Sequence, residues 1–107
     1  MRVSFDLDDV QADSLANIYR EAGFWTNDAD NIIRTLYPYA NIFGIFILEG
    51  DTLIGAMRVF SDDVITSYVA EYCVDPYYDG ADVSNYLMRA LKERFGHTAI
   101  FLSLIHI

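Results

Sequence analysis

The chain has 107 residues, the size of one domain, and 53% of them are hydrophobic and spread along the whole length, which puts a packed core within reach and argues against disorder. Sixteen acidic against seven basic residues leave a formal net charge of −9. That speaks against nucleic acid, whose phosphates need clustered Lys and Arg, and suits a cationic partner such as an amine or simply a solvated acidic surface. No run reaches the roughly 20 apolar residues that span a bilayer, and the start MRVSFDLDD lacks the features of a signal peptide. Cys73 is the only cysteine, which rules out an internal disulfide framework and fits a reducing, cytosolic setting.

RVSFDL (residues 2–7) alternates and predicts a first strand. From Asp9 to Ala22 the residues Leu15, Ile18, Tyr19 and Ala22 share one helical stripe, and Gly23 follows as a stop. A second short helix is predicted from Asn27 or Asp28, with Ile32, Ile33 and Leu36 inward, ending before Pro38. NIFGIFIL and TLIGAMRVF read as strands joined by a hairpin turn at EGD, residues 49–51. SDD (residues 61–63) makes a second turn, and VITSYVAEYCV (residues 64–74) closes a three-strand meander. Val83, Tyr86, Leu87, Ala90, Leu91 and Phe95 then follow helical spacing up to Gly96, and TAIFLSLIHI reads as a last strand. The expected class is α/β with a mixed sheet, ordered strand, helix, helix, three-strand meander, helix, strand. The final strand–helix–strand unit requires a parallel crossover.

The stretch CVDPYYDGADVSNYLMRAL passes from strand through a short loop into a helix. Such junctions can hold a phosphate on free N–H groups at a positive dipole end. Asp79 and Asp82 oppose that use: a carboxylate about 4 Å from a phosphate costs roughly 1 to 4 kcal/mol. Asp82 also reads as an ordinary helix N-cap or first-turn acid.

Element order and residues together resemble the GNAT N-acetyltransferases over nearly the whole chain. LANIYREAGFW looks like the family's first helix and the turn after it, LEGDTLIGAMRVFSDDV like its second and third strands, and YVAEYCVDPYY like the fourth strand leading to the acetyl-CoA loop. One subgroup ends that strand V-x-P-x-Y and continues Q/R-G-x-G-I-G/A-x-x-L-M. Val74, Pro76, Tyr78, Gly80, Val83, Leu87 and Met88 match, whereas Asp79, Asp82 and Ser84 depart.

The resemblance implies transfer of acetyl from acetyl-CoA, as co-substrate and with no metal, to the primary amine of a small molecule or a protein. It implies that Tyr72, Cys73 and Val74 meet the thioester and pantetheine, and that Asp79, Gly80, Ala81, Asp82, Val83 and Ser84 form the pyrophosphate loop. Glu71 falls where relatives carry a carboxylate acting as general base through water; equally, it reads as a structural ion pair with Arg58 across the meander. Phe24 and Trp25 fall where relatives form a substrate wall, or pack in the core. Cys73 reads as a buried structural thiol, since direct transfer needs no nucleophile. Tyr68, Tyr72, Tyr77, Tyr78 and Tyr86 read mostly as packing residues. His97 reads as a solvated turn residue, and with His106 it makes no metal site. The loop aspartates leave a second reading open, a GNAT-like binding module that has lost catalysis.

Relatives continue past the fifth strand with a helix, two strands and a leaving-group tyrosine. LSLIHI (residues 102–107) is also what a common sequencing adapter, CTGTCTCTTATACACATC, yields on translation. A truncated domain with adapter-derived residues at its end is therefore expected, against the rival of a true apolar strand. The exposed last strand would then drive self-association.

Overall fold

The computed structural model describes residues 1–23, 40–78 and 80–102. The second predicted helix, Phe24, Trp25, Asp79, His106 and residues 103–107 lie outside them.

The elements run β1 (Arg2–Ser4), a 3-10 turn (Leu7–Asp9), α1 (Ala12–Glu21), β2 (Ile42–Glu49), β3 (Thr52–Ser61), β4 (Thr66–Val74), α2 (Gly80–Phe95) and β5 (Ala99–Leu102). They build one five-stranded sheet in the order β1-β2-β3-β4-β5. The first four strands pair antiparallel and β5 joins β4 in parallel, so the expected mixed α/β class holds.

The first strand is shorter than its alternation suggests. Asp6 accepts from the Asp8 N–H at 2.9 Å, and Ser4 Oγ lies 2.6 Å from Asp9 Oδ2. These short side chains hold the backbone in a 3-10 turn, which also delays α1 to Ala12. Gly23 ends α1 at φ +92°, a left-handed position that glycine takes without strain, and Gly50 makes the hairpin turn at φ +60°. β4 begins at Thr66 rather than Val64 because Asp62 Oδ1 accepts from the N–H groups of Val64, Ile65 and Thr66 at 2.8–3.0 Å. That triple contact folds the segment into a turn and leaves Val64 and Ile65 exposed.

Among the described residues, each sheet face carries one helix. Leu15, Ala16, Ile18 and Tyr19 of α1 pack on Phe46, Leu48, Leu53, Ala56 and Cys73. Val83, Leu87, Ala90, Leu91 and Phe95 of α2 pack on Ile45, Ile47, Ile54, Met57, Val59 and Val69. Among the described residues no helix is long and apolar enough to cross a membrane.

Candidate active site

β4 changes face in its middle. Arg58 of β3 opposes Glu71 and Val59 opposes Val69, so Ala70 is an extra residue, a bulge. Val69 packs with α2, whereas Cys73 packs with α1. Beyond the bulge, Glu71 and Cys73 share the α1 face, while Val74 packs against the α2 cluster and Tyr72 is 38% exposed. Pairing with β5 covers Thr66–Val69 and, among the described residues, goes no further.

Glu71 stands directly after the bulge and is buried, 8% exposed. Arg58 grips it with two parallel bonds, Nε to Oε2 at 2.8 Å and Nη2 to Oε1 at 2.7 Å. The Tyr19 hydroxyl donates to Oε2 at 3.2 Å, which ties α1 to β4. The ion pair with Arg58 is therefore present. Tyr19 escaped sequence reasoning, because on a helical stripe its phenol reads as another apolar ring. A period of 3.6 does not reveal which polar tip faces a buried acid.

At the end of β4 the chain turns through Asp75–Tyr78. Asp75 N–H donates to the Ile54 carbonyl at 2.9 Å, Tyr77 N–H to Asp75 Oδ1 at 2.9 Å, and Tyr78 N–H to the Asp75 carbonyl at 3.1 Å. α2 begins at Gly80, so Asp82 lies inside the first turn and is not the cap. Gly80, Ala81 and Asp82 are exposed, Ser84 is half-buried, and Val83 is fully buried. Among the described residues a Cβ built on Gly80 meets only Val74 Cγ1, at 4.0 Å, so the helix start can be approached closely. Val83 in turn seats the first turn directly against Gly55 of β3, where a Cβ would lie 2.6 Å from its Cγ1.

The other sequence candidates separate clearly. Cys73 is buried, and burial, followed by the Glu71 charge, pushes its thiol up to about 12, which keeps it protonated and inert as a nucleophile. The tyrosines are less buried than expected: Tyr77 is 89% exposed, and Tyr68, Tyr72 and Tyr78 are about 40% exposed. Strand alternation tells which face a residue takes, not whether a helix covers that face. His97 is exposed, with Nε2 3.0 Å from Asp63 Oδ1. Asp63 also holds Arg94 through two bonds of 2.9 and 3.0 Å, which lower the Asp63 carboxyl and pin the β3–β4 turn to the end of α2. Among the described residues no three His, Cys, Asp or Glu side chains gather as a metal site.

No protein-family model matches the chain, and no curated protein matches it. Solved structures do. A GNAT-family acetyltransferase of Streptococcus pneumoniae is similar over 99% of this chain and 78% of its own length, with 18% identity and a TM-score of 0.66. A GNAT-family acetyltransferase of Staphylococcus aureus covers 95% of this chain and 83% of its own, with 13% identity and a TM-score of 0.74. The chain carries the GNAT fold. An aminoglycoside 6'-N-acetyltransferase complexed with coenzyme A has this GNAT fold too, over 95% of this chain but 61% of its own, with 16% identity and a TM-score of 0.67.

Proposed function

We propose that the chain is an acetyl-CoA-dependent N-acetyltransferase domain acting on a primary amine in a reducing, cytoplasmic setting. The observation that carries this reading is the Ala70 bulge, which turns the second half of β4 towards α1, on a GNAT fold, ahead of an approachable helix start. In the transfer, the amine nitrogen attacks the thioester carbonyl, the carbon–sulfur bond breaks, the sulfur leaves as thiolate and takes a proton, and the nitrogen gives one up. Backbone groups of Tyr72, Cys73 and Val74 are suited to orient a thioester, since amides can stabilise a carbonyl that gains charge. The first turn of α2, from Gly80 to Ser84, is suited to an anion by its dipole and disfavours one by the Asp82 carboxylate.

Acetyl-CoA at 100 times its Kd is expected to stabilise the chain by about 2.7 kcal/mol in a thermal melt. Asp82→Gly should tighten acetyl-CoA binding about tenfold by calorimetry, because it removes one like charge from the loop. No stabilisation of either protein at millimolar acetyl-CoA would refute the proposal; unchanged affinity in the variant would mean that the Asp82 side chain points away.

Glu71 is the proposed general base. Glu71→Gln should lower kcat at neutral pH and remove the acidic limb of the pH–rate profile. The second reading, a binding module without catalysis, is favoured by one observation: three donors already occupy the oxygens of Glu71. A chain that binds acetyl-CoA but acetylates no amine in a broad panel would establish it.

A further inference from the structure

Three aromatic rings line up across the sheet. Phe60 of β3 opposes Tyr68 of β4, and Tyr68 opposes Phe101 of β5. Directly opposed side chains share a face, and adjacent strands lie about 4.8 Å apart, so the three residues stand in a row on one face. The face is that of α1, because Arg58, two residues before Phe60, holds the Glu71 that Tyr19 of α1 touches. Tyr68 is 41% and Phe101 56% exposed. The row borders a hollow of about 410 Å³ lined by Asn41, Phe60, Ser61, Asp62, Thr66 and Tyr68.

We infer that this row is the platform for the acceptor, and that the acceptor is a primary amine joined to an aromatic ring by a short chain. The inference rests on the acetyl-transfer reading and adds the substrate class. Charge selects the amine. Among the described residues the lining has one side chain charged at neutral pH, the Asp62 carboxylate, and no lysine or arginine. Three backbone N–H groups hold that carboxyl below its ordinary range, so it is a fixed negative charge at neutral pH. Ring faces add to the attraction: the Arg58 guanidinium already sits 5.0 Å from the Phe60 ring centre, as an ammonium would over Tyr68. Apolar rings select the ring-bearing body. Reach selects the short chain. Tyr68 precedes the Ala70 bulge by two residues, about 7 Å along a strand, so a ring on Tyr68 brings an amine two or three carbons away to the bulge.

The probe is 2-phenylethylamine, with n-butylamine as the ringless control, titrated into the 107-residue chain by calorimetry. Phenylethylamine is expected to bind at least about tenfold tighter than butylamine. Tyr68→Ser, an exposed position, should abolish that preference, and Tyr68→Phe should restore it. Equal affinity for the two amines, or a preference that survives Tyr68→Ser, overturns the inference. So does a dimer in sedimentation that Tyr68→Ser turns into a monomer, since the row would then be a contact between two copies. Acetyl-CoA is read separately by thermal melt. Stabilisation by acetyl-CoA without a preference for phenylethylamine removes the platform and leaves the transferase reading standing. Absence of both removes both.

Discussion

Arg58→Met is expected to destabilise the protein by about 3–5 kcal/mol, the usual result of leaving a buried charge without its partner. Glu71 is 8% exposed, and Arg58 supplies two of the three donors described at its oxygens. Methionine matches the length of the arginine stem and keeps contact with the Phe60 ring, so lost packing contributes little. At about 4 °C or more per kcal/mol for a domain of this size, the melting temperature should fall by at least about 12 °C. Arg58→Met combined with Glu71→Leu should recover most of the loss, since an apolar pair of similar volume often replaces a buried ion pair without penalty. Urea melts of the parent, the two single variants and the double variant give the coupling energy directly. A coupling below about 1 kcal/mol, the range of exposed pairs, would mean that water reaches the pair and that Glu71 is freer for proton transfer than its contacts suggest.

The same pair shows how far the sequence could be read. Arg58 and Glu71 lie on neighbouring strands of a meander whose turn was legible, and a buried carboxylate in YVAEYCV needs a partner. The hairpin at Gly50 was equally legible, because glycine takes the positive φ of a short hairpin turn without strain. The face switch in β4 was not. TSYVAEYCV alternates buried and exposed without a break, yet its buried residues serve α2 before Ala70 and α1 after it. A bulge inserts a residue without disturbing the alternation of burial when both faces are covered. The direction of Glu71 towards α1 depends on that bulge, so the face served by the second half of β4 could not be read from the sequence. The start of α1 was misplaced for a different reason. Ser4, Asp6 and Asp9 act through hydrogen bonds to the local backbone and to one another, and periodicity registers only their polarity.

Gly55→Ala tests whether the start of α2 must sit where it does. Gly55 lies in β3 beneath the first turn of α2, and a Cβ there would stand 2.6 Å from Val83 Cγ1 and 3.3 Å from Ile47 Cγ1. Ordinary contact begins near 3.4 Å, so something must move. Val83 is 0% exposed, and a β-branched residue in a helix has essentially one χ1 rotamer, so its side chain cannot swing aside. The first turn of α2 must lift instead. Overpacking of this kind costs about 1–3 kcal/mol. The lifted turn carries Gly80 to Ser84, the proposed anion-binding segment, so stabilisation by acetyl-CoA should fall together with stability. Adding Val83→Ala to Gly55→Ala removes the clashing methyl and should restore the acetyl-CoA response, although the smaller side chain leaves some of the core contact unmade. Urea melts of the parent, the single variant and the double variant, each with and without acetyl-CoA, separate the two effects. If Gly55→Ala melts like the parent, Val83 is not held as tightly as its burial implies. If it loses stability but keeps the full acetyl-CoA response, the ligand does not depend on the position of this helix start, and the pyrophosphate role of Gly80 to Ser84 falls.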